Sequence, residues 1–532
     1  MDKFFNTAGP CKPELHYVLP PLVRVNLSEL ESLIAAQKYF VLHAPRQTGK
    51  TTCLLALEEH LNRRGEVRAL YGNVEAAQAA RGNVAAGLRV ILATLAERAA
   101  TLLGDSFLLD RYQEVIESTG AEGALHILLS RWARSSVRPV VLLLDEVDAL
   151  VGDTLISVLR QLRAGYADRP QGFPQTVVLC GVRDVRDYRI HSSVHQEIIT
   201  GGSAFNVKAE SLRLGDFTRD DLEALYRQHT AATGQAFAAE ALAWAWEQTR
   251  GQPWLVNALA YEACFRLPAG RDRAQPISLA VLETARENLI LRRETHLDQL
   301  TDKLREERVR RVIEPMLSGQ TAAGDFQPDD VQYTVDLGLV RREVNGALSI
   351  ANRIYHEVIP RELTADTQSG LHQQPGWYVG AEGRLDLVKL LAAFQAFFRE
   401  NSEAWLERFN YREAGPHLLL QAFLQRILNS GGRIEREYAL GRRRVDLLVR
   451  WPVGRGAEAR EQKAVIELKV VRHSREATLT EGLEQTVAYA ERCGAEEAHL
   501  LLFERRPGVG WSERIFAEER AFGGYLVRVW GM

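Results

Sequence analysis

A short apolar strand that runs straight into a glycine–lysine–threonine turn constrains this chain more than any other feature. Tyr39-Phe-Val-Leu-His-Ala44 is followed by Pro45-Arg46-Gln47-Thr48-Gly49-Lys50-Thr51-Thr52, and Leu54, Leu55, Leu57 and Leu61 then recur at helical spacing. Ala44–Thr51 fits the phosphate-binding pattern G-x-x-x-x-G-K-[ST] at every position but the first, where alanine replaces glycine. The spacing has a physical cause. A tight turn aims successive backbone N–H groups at a phosphate, and the helix that follows adds its positive N-terminal end. Lys50 is then placed to reach the β- and γ-phosphates of a nucleotide, and the Thr51 hydroxyl to hold Mg²⁺.

A phosphate loop of this kind needs a carboxylate on a neighbouring buried strand. Val140-Val-Leu-Leu-Leu-Asp145-Glu146 supplies one, its apolar run reading as a central parallel strand covered on both faces. Asp145 is placed to hold Mg²⁺ through water and Glu146 to orient the attacking water. Asp148 reads as a helix cap. Thr176-Val-Val-Leu-Cys-Gly181 is a further buried strand leading into Val-Arg183-Asp-Val-Arg186-Asp-Tyr-Arg189. Arg183 is the candidate sensor of the γ-phosphate, and Arg186 or Arg189 the candidate finger toward a neighbouring subunit; a solvated loop of alternating charge is the alternative. With Leu70–Val74 and Ser211–Leu214, the strands make a five-stranded, doubly wound parallel sheet. Thr218-Arg-Asp-Asp221 then opens a helical lid running to about residue 275, with Gly251-Gln-Pro253 at a helix junction.

Together the Ala44–Thr51 loop, Asp145-Glu146, the strand ending at Gly181 and Gly251-Gln-Pro253 resemble the STAND and archaeal-type branch of the AAA+-like P-loop ATPases, over roughly residues 15–365. The resemblance implies ATP and Mg²⁺ as cofactors, a winged helix after the lid, a domain arrangement controlled by nucleotide, and assembly into a homo-oligomer. Residues 286–317 read as helical, Asp329–Val340 as a helix closed by Gly338, and Arg341–Ile350 as a hairpin turning at Asn345-Gly346. Helix, helix and wing make a winged helix, which serves either as a DNA reader or as an internal latch. The polar stretch 364–376 reads as a linker. The expected division is residues 1–217 ATPase, 218–275 lid, 276–363 winged helix, 364–376 linker and 377–532 a further α/β domain.

In that last domain the order is αβββαβ. A helix over Leu418–Leu428 precedes strands Ile434–Leu440, Val445–Trp451 and Ala464–Val471; a helix from Thr480 to Arg492 and strand Ala498–Phe503 follow. Asp446 lies on the second strand, while Glu467 and Lys469 lie two apart on the third and so share a face, with Ile466 and Leu468 directed into the core. Carboxylates on adjacent strands can hold Mg²⁺ and activate a water, with Lys469 stabilising charge on a scissile phosphate. Asp446 and Glu467-Leu-Lys469, with Gln485-Thr-Val-Ala-Tyr489, resemble the PD-(D/E)XK nuclease superfamily and the QxxxY motif of its RecB-like branch. Glu413 stands where many members carry a further metal-binding carboxylate, and the resemblance makes Gln485 and Tyr489 substrate-positioning residues. Val445 replaces the proline that sometimes precedes the aspartate. Between Arg433 and Arg450 lie arginines 433, 436, 442, 443, 444 and 450, a basic strip beside the expected phosphodiesterase site.

Composition sets limits. Hydrophobic residues at 46% and charged residues at 25% exclude a largely disordered chain. A balance of 66 Lys+Arg against 69 Asp+Glu excludes a uniformly basic nucleic-acid coat. The cysteines Cys11, Cys53, Cys180, Cys264 and Cys493 form no CxxC pair, which fits a reducing cytosol and excludes a zinc ribbon of ordinary spacing. No apolar run reaches membrane-spanning length and the N-terminus lacks a signal-peptide core, so a cytoplasmic protein without membrane contact is expected. The sequence thus points to an ATP-regulated, Mg²⁺-dependent nuclease acting on DNA, in defence or mobile-element biology by analogy. The rival is a nucleotide-gated switch or scaffold whose C-terminal fold no longer cuts.

Overall fold

The structure is a computed structural model. It describes residues 3–184, 189–191, 198–200, 205–292, 295–317, 326–363, 377–380, 382–408, 420–421, 423–424, 432–440, 443–454, 460–471, 473–504, 506 and 508–532. Two compact units divide the chain: Met1–His296 with Gln332–Leu339, and Leu297–Val331 with Val340–Met532.

The first unit is built on five parallel strands. They are β1 (Tyr39–His43), β2 (Arg68–Asn73), β3 (Val140–Asp145), β4 (Thr176–Gly181) and β5 (Lys208–Arg213), in spatial order β2-β3-β4-β1-β5. Every residue of β1, β3 and β4 is buried. Their unbroken apolar runs fit a sheet packed on both faces, and alternation divides them between two cores. Val41, Leu142, Leu144 and Leu179 face one apolar cluster, and Phe40, Leu42, Leu143 and Cys180 face the other. Helix α1 (Lys50–Arg64) leaves β1 through Gly49, at φ 87°, and stops at Gly65, whose left-handed conformation lets its N–H reach the Leu61 carbonyl. Helix α2 (Val84–Leu103) packs on the first of the two cores through Leu88, Leu92 and Leu95.

Helices α3 (Arg219–Thr233), α4 (Ala239–Thr249) and α5 (Pro253–Tyr261) follow, in the segment expected to form a lid. Thr218 and Asp221 form the expected reciprocal capping box at the start of α3. Gln252 caps α5, accepting the Leu255 N–H at 2.6 Å, and Pro253 occupies a position whose N–H would be orphaned anyway.

The helical stretch expected over 286–317 is three helices and starts earlier: Leu279–Leu291, Thr295–Leu304 and α6 (Glu307–Leu317). Helix α7 (Pro328–Asp336) and a hairpin of β6 (Val340–Arg342) and β7 (Leu348–Ile350) come next, with Gly338 and Gly346 both at positive φ. The expected linker 364–376 lies outside the described residues.

The second unit carries helix α8 (Leu387–Arg408) and a mixed six-stranded sheet. Its strands are β8 (Arg433–Leu440), β9 (Arg443–Val453), β10 (Arg460–Val471), β11 (Glu497–Glu504), β12 (Phe516–Phe522) and β13 (Tyr525–Gly531), in spatial order β8-β9-β10-β11-β13-β12. Helix α9 (Arg475–Cys493) connects the parallel neighbours β10 and β11. The expected strand order holds, and the β12–β13 hairpin extends it. Both faces of this sheet are covered. Ile466 and Leu468 pack into the cluster that includes Leu390 and Phe394 of α8, while Val465 and Val471 pack with Leu483, Val487 and Ala490 of α9. Glu467 and Lys469 therefore point toward α9 rather than toward open solvent. Most of the helix expected over Leu418–Leu428 lies outside the described residues.

Candidate functional sites

The phosphate loop takes its shape from its backbone. Gln47 and Gly49 both have positive φ, at 56° and 87°, and the Thr48 hydroxyl donates to the Pro45 carbonyl at 2.8 Å. The positive φ of Gly49 favours glycine, and a Cβ there would crowd the Arg24 guanidinium at 3.2 Å. Ala44 is buried and donates its N–H to the Gly181 carbonyl at 3.2 Å, so the loop springs from two neighbouring strands. Lys50 is buried, its ammonium donating to the carbonyls of Ala44 and Pro45 at 3.1 Å each. Arg46 is exposed, and the Thr52 hydroxyl accepts the Cys11 N–H at 3.1 Å.

Asp145 is fully buried and meets the loop directly: its Oδ2 accepts the Thr51 hydroxyl at 2.7 Å and its Oδ1 the Glu146 N–H at 2.9 Å. Glu146 sits at φ 58°, a left-handed conformation that costs a non-glycine residue on the order of 1 kcal/mol. Burial raises its carboxyl pKa; Lys50 opposes the shift, and Asp148, Asp145 and Glu75 add to it. A carboxylate tuned upward suits a group that takes or orients a water proton. The donor set fits a magnesium nucleotide: a hydroxyl and a carboxylate in contact, an ammonium at the same loop, and a glycine cradle that a side chain would fill.

Some expectations change here. Asp148 is no helix cap: it lies in a short 3₁₀ turn, Val147–Ala149, and its Oδ1 accepts the Val182 N–H at 3.0 Å, tying β3 to β4. Arg183 faces the ring of Tyr333, 4.9 Å from its centroid. Arg186 lies outside the described residues, and Arg189 begins a short strand, Arg189–His191.

Sequence reasoning missed the N-terminal segment. It lines a cavity together with the loop and the lid, through Asn6, Thr7, Gln47, Gly49, Trp254 and Asn257. The Trp254 indole donates to the Thr7 carbonyl at 2.9 Å, and Arg24 donates to the carbonyls of Thr48 and Gly215 at 2.5 and 3.0 Å. No motif announces these contacts, because each pairs a side chain with a distant carbonyl.

In the second unit, the pairing of Leu447 with Ile466 places Asp446 beside Glu467 on the adjacent strand. Asp446 Oδ2 accepts the Leu468 N–H at 2.8 Å. Glu467 is buried, and its Oε2 has no hydrogen-bond partner among the described residues. Burial foremost, and Asp446 next, push the Glu467 carboxyl well above the usual range, while Lys469 at 3.4 Å from its Oε1 opposes them. Lys469 also donates to Gln485 Oε1 at 2.5 Å, and Glu481, which sequence reasoning passed over, accepts from Gln485 at 3.1 Å. Tyr489 lies buried one turn beyond Gln485 on α9. Glu413 lies outside the described residues. Among the described residues no group of three or more His, Cys, Asp or Glu gathers. Two carboxylates with water completing the shell is a mode Mg²⁺ accepts, and the orphaned Oε2 of Glu467 fits a cation.

Of the expected basic strip, one member has its partners described. Arg450 is occupied by Glu435 at 2.9 Å and Glu461 at 2.8 Å. The side chains of Arg436, Arg442, Arg443 and Arg444 lie outside the description. No helix among the described residues is long and apolar enough to cross a membrane.

A family model described as an AAA domain matches residues 34–188. No curated protein matches the chain. Among solved structures, a Walker-type ATPase of Pyrococcus abyssi is similar at 13% identity and a TM-score of 0.47, covering 67% of this chain and 99% of that one. The RuvB Holliday junction branch migration motor of Thermotoga maritima is similar at 15% identity and a TM-score of 0.33, covering 63% and 94%. Domain III of the Thermotoga maritima replication initiation protein DnaA stands at 14% identity and 0.31, covering 52% and 97%. TM-scores this low add no weight; the family match and the loop geometry agree without them. Residues 34–188, which carry the phosphate loop and four of the five parallel strands, match an AAA-type domain within a longer chain, which supports an AAA-type P-loop ATPase.

Proposed function

We propose that the chain is an ATP-hydrolysing, Mg²⁺-dependent nuclease in which the AAA-type module regulates a C-terminal PD-(D/E)XK domain that cuts DNA. One observation carries the nuclease half: a buried Glu467 with an unpartnered oxygen, beside Asp446 and within 3.4 Å of Lys469. A buried carboxylate oxygen without a donor is costly unless a cation or proton satisfies it. When bound, Mg²⁺ lowers the pKa of a coordinated water and neutralises the scissile phosphate. Asp446 and Glu467 hold that ion, Lys469 stabilises the developing charge, and Gln485 fixes Lys469 while Gln485 and Tyr489 position substrate; Glu413 adds a further carboxylate.

In the ATPase half, Lys50 faces the β- and γ-phosphates, Thr51 and Asp145 hold Mg²⁺, and Glu146 orients the attacking water. Arg183 reads the γ-phosphate, with Arg186 or Arg189 acting across a subunit boundary in a homo-oligomer. The division proposed is ATPase 1–217, lid 218–275, winged helix 276–363, linker 364–376 and nuclease 377–532. A cytoplasmic role in defence or mobile-element biology suits the pairing. The rival, a nucleotide-gated scaffold, keeps the P-loop chemistry but not the cutting. Incubating the protein with plasmid, linear and single-stranded DNA, with and without Mg²⁺ and ATP, separates the two: Mg²⁺-dependent products support the nuclease, and intact DNA under every condition favours the scaffold.

A further inference from the structure

Asp145 has a second hydroxyl donor that no phosphate-loop pattern supplies. Tyr71, on β2, donates to Asp145 Oδ2 at 3.0 Å, sharing that oxygen with Thr51. The ring is buried and held on several sides. Glu58 of α1 accepts the Tyr71 N–H at 2.7 Å, Arg98 of α2 pairs with Glu58, and the Arg98 guanidinium lies 4.9 Å from the ring centroid. Burial first, and Asp145 second, push the Tyr71 phenol upward, so the hydroxyl stays a donor.

We infer that Tyr71 is a positioning residue for the divalent cation of the ATPase site, acting through Asp145. The inference rests on the P-loop reading proposed above. Thr51 serves the metal as well as Asp145, so it cannot by itself hold the carboxylate still. Tyr71 stands outside the phosphate-loop pattern and is free of its metal-holding role. Its hydrogen bond fixes the rotation of the carboxylate and draws charge from Oδ2, favouring contact through metal-bound water over direct ligation. Outer-shell donors of this kind set metal affinity by about 10- to 100-fold.

The test is Tyr71→Phe, which keeps the ring and removes only the hydroxyl. Fluorescent ATP affinity is titrated against Mg²⁺, and Mn²⁺ binding is followed by electron paramagnetic resonance. The Mg²⁺ concentration giving half-maximal tightening rises about tenfold or more in Y71F, while affinity for ATP in excess chelator and the thermal transition stay at wild-type values. Arg98→Met, which loosens the ring but keeps the hydroxyl, shifts the requirement the same way by less, and decides the matter should Y71F fail to fold. An unchanged Mg²⁺ requirement in the folded variants overturns the role of Tyr71 and leaves the P-loop reading standing. Wild-type protein whose ATP affinity ignores Mg²⁺ removes both.

Discussion

The Arg183 guanidinium lies 4.9 Å from the centroid of the Tyr333 ring, so the residue proposed to read the γ-phosphate already has an aromatic partner from the segment Gln332–Leu339. A guanidinium cannot serve a phosphate and that ring equally, and nucleotide shifts an equilibrium only by binding one arrangement better. ATP and ADP states are expected to differ in oligomeric mass or cutting rate by a factor of about 5 or more, and Arg183→Ala to blunt the difference. Light scattering and timed cleavage in each nucleotide state check it. Equal masses with equal rates leave two independent enzymes on one chain.

Lys50→Ala removes the ammonium bonded to the loop carbonyls and should cost nucleotide binding about 2–5 kcal/mol. Glu146→Gln should bind ATP normally yet turn over about 10²- to 10⁴-fold more slowly, because only the carboxylate proposed to orient the water is lost. Equilibrium binding and steady-state hydrolysis of both variants settle the assignment; wild-type turnover in E146Q removes Glu146 from the chemistry.

Asp446→Ala and Glu467→Ala should each abolish Mg²⁺-dependent cleavage with ATP hydrolysis retained. Lys469→Ala should slow cleavage roughly 10²-fold while leaving metal affinity nearly unchanged, since the role proposed for it is charge stabilisation. Calorimetric metal binding set beside cleavage rates separates the two effects.

Glu467 has its pKa raised by burial and by Asp446, so the metal must displace a proton that an ordinary carboxylate would already have lost. The sign follows: protonation opposes binding, and Mg²⁺ affinity at this site should keep rising with pH above roughly 6, where an unperturbed carboxylate pair would be flat. Titrations of the Lys50→Ala protein, in which the ATPase site is silenced, isolate the effect. An affinity independent of pH from 6 upward contradicts it.

Gly251 sits at φ 80°, and a Cβ there would lie 1.9 Å from the Phe217 carbonyl oxygen. Gly251→Ala should therefore destabilise the lid by at least about 1–3 kcal/mol, seen as a lower thermal midpoint; an unchanged midpoint would mean that the lid shifts freely.

What the chain announces in its own order is local. The run from Tyr39 to Thr52 encodes strand, turn and helix within one stretch, because burial on both faces demands an unbroken apolar strand and the turn demands Gly49. The Ile466-Glu-Leu-Lys469 alternation likewise assigns faces before any fold is known, since side chains on a strand alternate. Partnership across the chain is decided elsewhere. Tyr71 and Asp145 are 74 positions apart and meet only because β2 pairs with β3. Arg450, which reads as part of a basic strip, is taken up by Glu435 and Glu461 once antiparallel pairing brings their strands alongside. The N-terminal segment meets Thr52 at the end of the phosphate loop through the Cys11 N–H, and Trp254 of α5 through the Thr7 carbonyl, using backbone groups that every residue carries. A backbone donor has no sequence signature, and a side chain's partner is set by register and packing, so these relationships exist only in the folded chain.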